Sequence, residues 1–147
     1  MTIHKVKIFI LLFIYFIFSF GCLSPTITDE EVQNIVKTAT GSKLIVLDVY
    51  HDRCKSCKLI EPVMEKLKSD YAENKSVAFL KYDLSSFVSR LNGRKVADAS
   101  GLENIYKAQR YTGVVLIINT KDKNILDTLI AEERIEKYKE VIETNLY

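Results

Sequence analysis

Hydrophobic positions fall along the chain in blocks of two periods, and the blocks predict an alternating α/β domain. Thr28-Asp29-Glu30-Glu31 has the form of a capping box, with Thr28 as N-cap and Glu31 reaching back. Val32, Ile35, Val36 and Ala39 follow at helical spacing, and Gly41 ends this helix. Leu44–Tyr50 is an apolar run broken only by Asp48, the pattern of a strand buried on both faces. Beyond the His51-Asp52-Arg53 turn, a helix is predicted from Cys54 to Tyr71. Ile60, Met64 and Leu67 form its stripe, and Pro62 lies inside it. Val77–Asp83 is a second strand.

Residues 84–99 carry no clear period. Ser100-Gly101-Leu102-Glu103 reads as another capping box, opening a helix that carries Leu102, Ile105 and Tyr106. Gly113–Asn119 is a third strand and Thr120–Asn124 a polar turn. Ile125–Ile130 is a fourth strand, placed to pair antiparallel with the third. Glu132–Leu146 closes the chain as a helix with Ile135, Tyr138, Val141, Ile142 and Leu146 inward. The predicted order α β α β α β β α describes one α/β domain over residues 28–147.

The first 27 residues have a different pattern. His4, Lys5 and Lys7 precede Ile8–Phe20, which is apolar apart from Tyr15 and Ser19. That length suits the core of a signal peptide and is short of the ~20 residues that span a bilayer comfortably. Ser19 and Gly21 are small residues three and one positions before Cys22, so residues 1–21 form a signal peptide or membrane anchor and 22–27 a linker. Ser19-Phe20-Gly21-Cys22 resembles a bacterial lipobox, in which Cys22 becomes lipid-modified. Three readings stand: a lipoprotein, an uncleaved anchor, and a cleaved soluble protein. All three place the folded domain outside the cytoplasm, on the periplasmic side or cell surface.

Charge removes one class of partner. The first 21 residues hold two of the 21 basic side chains and none of the 19 acidic ones, so the remainder is neutral. A neutral domain without a basic stripe has no electrostatic reason to bind nucleic acid.

Cys54-Lys55-Ser56-Cys57 carries the candidate chemistry. Haem attachment requires His directly after the second Cys, where Lys58 stands. A structural zinc site wants four ligands, and His51, Cys54 and Cys57 offer three. The redox reading gives each position a reason. Cys54 would lie at a helix N-terminus, where free N–H groups favour a thiolate, with Arg53, Lys55 and Lys58 adding positive charge. Cys57, one turn on, would resolve the mixed disulfide. Asp48, costly to bury without a task, should have a raised pKa and could exchange a proton with Cys57. A surface-facing Asp on an edge strand is the plain alternative.

The stretch from Val46 to Pro62 resembles the thioredoxin active-site segment: an aspartate six residues before the first cysteine, a lysine after the second, and a proline five residues after it. The resemblance covers roughly residues 28–147 and implies a thioredoxin-like fold, a central mixed β-sheet flanked by helices. It implies Cys54 as attacking cysteine, Cys57 as resolving cysteine, Asp48 as buried acid and Pro62 as a structural kink. Arg53 stands where the family has tryptophan, with an aromatic surviving only at Tyr50. Thr112 stands in place of the cis-proline, so the bond before it is either cis or a trans peptide in a rearranged loop. Phe79 replaces the lysine that partners the acid, with Lys81 two residues on. Tyr50, Arg53, Tyr111 and Thr112 would border the substrate.

The implied activity is thiol–disulfide exchange on exported proteins, in the reducing direction. It needs no cofactor beyond the Cys54–Cys57 disulfide. Its partners would be proteins with disulfides or thiols, the membrane through the N-terminus, and a membrane electron donor. Two rivals stand beside it: a metal chaperone using His51, Cys54 and Cys57, and a redox-inert interaction domain docking through the connector before Thr112.

Overall fold

A computed structural model describes residues 26–147; the leader and Cys22 lie outside the described residues. The elements are α1 (Asp29–Gly41), β1 (Leu44–Tyr50), α2 (Lys55–Asp70), β2 (Val77–Asp83), α3 (Phe87–Ser100), α4 (Glu103–Ala108), β3 (Val114–Asn119), β4 (Ile125–Ile130) and α5 (Ile135–Leu146). The strands form one mixed sheet in the order β2-β1-β3-β4. β1 runs parallel to β2 and antiparallel to β3, and β3 pairs antiparallel with β4. No described helix is long and apolar enough to cross a membrane.

The alternation of side chains along a strand divides the core in two. Ile45, Leu47 and Val49 of β1 join Val32, Ala39, Val96 and Tyr106 in the layer under α1, α3 and α4. Leu44 and Val46 join Ile60, Met64, Leu67, Tyr138 and Ile142 under α2 and α5. β1 is therefore central and buried on both faces, as its unbroken apolar run predicts. Asp48 has the parity of Leu44 and Val46, which places it beneath α2.

The Thr28 capping box is present: Thr28 Oγ1 accepts the Glu31 N–H at 3.2 Å, and the Thr28 N–H donates to Glu31 Oε2 at 2.8 Å. α1 runs through Gly41 and is capped by Ser42, whose N–H returns to the Ala39 carbonyl at 3.3 Å. α2 has Cys54 and Tyr71 as its caps and runs unbroken through Pro62.

The connector between β2 and β3 corrects the sequence reading. It holds two helices in place of one. Ser86 caps α3 reciprocally with Ser89, which stands where a Glu or Gln is the usual signal. The expected capping box at Ser100 does not exist. Ser100 is the last residue of α3, and its hydroxyl donates back to the Val96 carbonyl at 2.7 Å. Gly101 (φ 71°) then adopts the left-handed conformation that terminates the helix, and α4 begins at Glu103 with no side-chain cap.

The last helix starts three residues later than predicted, at Ile135. Glu132 is occupied instead by Arg134, whose guanidinium reaches its carboxylate at 2.7 Å. β3 begins at Val114, because Gly113 has φ 73° and belongs to the turn.

Candidate active site at the start of α2

The β1–α2 turn delivers Cys54 to the helix start. Cys54 is the N-cap, with extended backbone (φ −82°, ψ 119°), and its Sγ accepts the Cys57 N–H at 3.2 Å. A helix leaves its first N–H groups without internal partners, so a thiolate here satisfies one of them. Both cysteines are free thiols; Cys54 is partly exposed and Cys57 buried. The Cys57 thiol faces the Val49 carbonyl at 3.9 Å.

The two thiols are held apart in acidity. Partial burial opposes ionisation of Cys54. Hydrogen bonds from the Cys57 thiol, the Thr112 hydroxyl and the N–H groups of Cys57 and Ser56 outweigh it and hold the thiol below its ordinary value. For Cys57, burial first and then the hydrogen bond to Cys54 push the thiol up. Arg53, Lys55 and Lys58 point into solvent and are not among the leading causes. Hydrogen bonds at the helix start do what the sequence reading assigned partly to flanking charge.

Asp48 is 7% exposed, and its Oδ1 is sealed with no hydrogen-bond partner. Burial raises its pKa to about 6, against the opposing pull of Lys81 and Lys68. Lys81 stands directly across from Asp48 in the β1–β2 register. Its ammonium, however, lies 3.4 Å from the Tyr50 ring centroid and 3.5 Å from Glu61 Oε1. A half-exposed cation shared with a ring and a second carboxylate does not cancel the cost of burying Asp48. No hydrogen bond joins Asp48 to Cys57 among the described residues.

Of the remaining predicted residues, Thr112 comes to both sulfurs, and the peptide bond before it is trans. Tyr111, 78% exposed, stands outward on the same loop. Arg53 is exposed, and its N–H donates to His51 Nδ1 at 3.1 Å. Tyr50 is half-buried beneath Lys81. Among the described residues, no group of three or more His, Cys, Asp or Glu could hold a metal.

The residue that sequence reasoning passed over is Gly113. Its N–H donates to the Val49 carbonyl at 2.9 Å, the same carbonyl that faces Cys57. A Cβ there would meet Ser56 Cβ at 2.8 Å and Cys54 Sγ at 3.4 Å. Only glycine gives both the positive φ and the room for the Thr112 loop to close on the sulfurs. The available signal was a glycine just ahead of an apolar strand. Gly113→Ala should therefore destabilise the fold by about 1–3 kcal/mol. Thermal unfolding checks this, and adding Ser56→Gly should recover only the steric share.

A dithiol at the head of a helix, following the central strand of a mixed sheet with helices on both faces, defines the class. Residues 24–113 match the family model described as Thioredoxin. The chain belongs to the thioredoxin family and has its fold. It is 36% identical over 66 residues to the chloroplastic F-type thioredoxin of Pisum sativum, a match covering 40% of this chain and 35% of that protein. The chain thus spans about a third of the length of this curated relative. Among solved structures, a thioredoxin of Malassezia sympodialis aligns with TM-score 0.49 and 23% identity, over 76% of this chain and 85% of that one. The oxidised thioredoxin of Plasmodium falciparum aligns with TM-score 0.47 and 18% identity, over 82% and 93%.

Proposed function

We propose that this protein is a protein-disulfide oxidoreductase working in the reducing direction. The observation that carries the reading is the pairing of an accessible, acidified thiol at the α2 N-cap with a buried, less acidic thiol one turn on. The Cys54 thiolate attacks one sulfur of a substrate disulfide. The substrate S–S bond breaks, one substrate thiolate leaves, and a mixed disulfide forms. Cys57 then loses its proton and attacks Cys54 Sγ, which releases the second substrate thiol and leaves a Cys54–Cys57 disulfide. The substrate gains two electrons and two protons, and a dithiol donor restores the pair. Asp48, titrating near 6, is the group placed beneath α2 to accept the Cys57 proton. Thr112 and Tyr111 border the path of the substrate, with Tyr50 at the end of β1 and Arg53 in the turn that follows it.

The clients are exported proteins, reached by a domain held at the membrane through residues 1–22. The basic, apolar and small-residue pattern ending at Cys22 supports this placement. Labelled fatty acid should appear on the wild type and not on Cys22→Ala.

Insulin reduction tests the chemistry: the wild type should precipitate insulin and Cys54→Ser should not, and equal rates would reject the reading. The potential of the Cys54–Cys57 pair tests direction. A value near roughly −270 mV supports reduction, and one near roughly −120 mV would reverse it.

A further inference from the structure

The connector before Thr112 builds a cavity of about 650 Å³ between α3 and α4. Arg90, Arg94, Lys107 and Arg110 line it, and none of these four forms an ion pair or side-chain hydrogen bond among the described residues. Two carboxylates, Asp98 and Glu103, share the lining, so the cavity keeps a positive excess. Its apolar wall is the ring pair Tyr82 and Tyr106, with centroids 4.1 Å apart. These tyrosines are 5% and 3% exposed, yet neither hydroxyl is bonded. Neither is a sealed orphan either, since Asp48 Oδ1 alone has that status among the described residues. Both residues line the cavity. Burial raises the Tyr106 pKa, so it meets a ligand as a hydrogen-bond donor.

The arrangement is maintained at a cost. Gly93, in the interior of α3, lies where a Cβ would come within 2.6 Å of Tyr82 Cδ2. A helix-interior glycine is a weaker helix former than alanine, and here it lets α3 rest on the Tyr82 ring. Four cations against two carboxylates around one concavity give it a charge balance that favours an anionic ligand.

Its position selects among anions. Arg110 is two residues before Thr112, which faces both sulfurs. On the other side, the Leu84 N–H donates to the Tyr50 carbonyl at 2.9 Å, tying the cavity edge to the end of β1. A polypeptide with its disulfide at Cys54 would run along the Thr112 loop into this cavity.

We propose that the cavity binds an acidic stretch flanking the disulfide on which the protein acts. The proposal rests on the reductase reading for its substrate, and on charge and geometry for the site itself. It names a specificity determinant away from the two sulfurs.

The test has a binding arm and a kinetic arm. A fluorescein-labelled hexaglutamate peptide without cysteine should raise its anisotropy with the wild type and lose binding at high salt. Arg90→Glu with Arg94→Glu should weaken binding about tenfold or more. Both side chains are exposed, and an unchanged melting curve shows the variant is folded. In the kinetic arm, matched disulfide peptides carry Glu or Gln flanks. The wild type should favour the Glu peptide in kcat/KM, and that ratio should fall about tenfold in the variant.

Equal binding by wild type and variant overturns the proposal, as does no binding by either. Inorganic pyrophosphate binding well where hexaglutamate does not would reassign the cavity to a small anion and overturn it too. Equal turnover of the two peptides by an active protein overturns the proposal alone. Failure to reduce either peptide, with hexaglutamate binding intact, overturns the reductase reading and leaves the acidic-segment site standing.

Discussion

Cys57→Ser should convert the protein into a trap that captures a disulfide substrate and holds it. Cys54 remains at the α2 N-cap, with the residue-57 N–H still donating to its sulfur, so the first attack proceeds. The serine hydroxyl is not acidic enough to displace a thiolate, so the mixed disulfide persists until an external thiol resolves it. Steady-state turnover should fall roughly a thousandfold or more, the scale seen when one member of a catalytic unit is removed. A non-reducing gel, with the adduct disappearing on added dithiothreitol, reads the result. A Cys57→Ser protein that turns over like the wild type would show that the buried thiol has no part in release. The same variant isolates Cys54 for titration. Its alkylation rate should reach half-maximum below the ordinary thiol value of about 8.5, because the backbone N–H groups that hold the thiolate remain.

Asp48→Ala should stabilise the fold above pH 6 while slowing release. The carboxyl titrates at its ordinary value of 3.8 when unfolded and at about 6 when folded. A raised acid pKa means that the folded state binds the proton more tightly. Asp48 therefore costs nothing below about pH 4, where both states are protonated. The cost grows as pH rises through the window from 3.8 to about 6, and is complete above it. The separation of about two pKa units corresponds to about 3 kcal/mol. Removing the side chain relieves that cost and the unbonded Oδ1, less roughly 1 kcal/mol for the void. The gain should be about 2 kcal/mol at pH 8 and absent or reversed at pH 4. Denaturant unfolding at the two pH values measures it; equal differences at both would show that folding leaves the Asp48 pKa at its ordinary value. Resolution of the mixed disulfide should slow in the same variant, since Asp48 is the proposed acceptor of the Cys57 proton.

Much of the framework was legible along the chain. β1, β2 and β4 occupy the predicted spans, and Thr28 starts α1 as its capping box implies. Those signals are local: a run of β-branched and aliphatic residues, or a hydroxyl three residues ahead of a carboxylate, acts through near neighbours. The misread stretch was 84–101, for two physical reasons. The cap of α3 uses a serine pair, which satisfies the same N–H groups without the usual sequence mark. Ser100 and Gly101 carry the composition of a helix start, yet here they finish one, because the Ser100 hydroxyl bonds backward and Gly101 takes a positive φ.

The candidate site divides in the same way. The cysteine spacing and the odd carboxylate in β1 were visible because both are breaks in a local pattern. The role of Gly113 was not, since its need comes from Ser56 and Cys54 across a gap of more than fifty residues.

The order of the strands and the helix start at Cys54 were set by neighbours in the chain, through hydrophobic period and hydrogen-bond caps. Three things came only with the tertiary structure: the difference in acidity between the two thiols, the closure of the Thr112–Gly113 loop on them, and the cationic cavity beside it. Each depends on distances between segments brought together by sheet pairing and core packing, and desolvation and hydrogen bonding act on those distances alone.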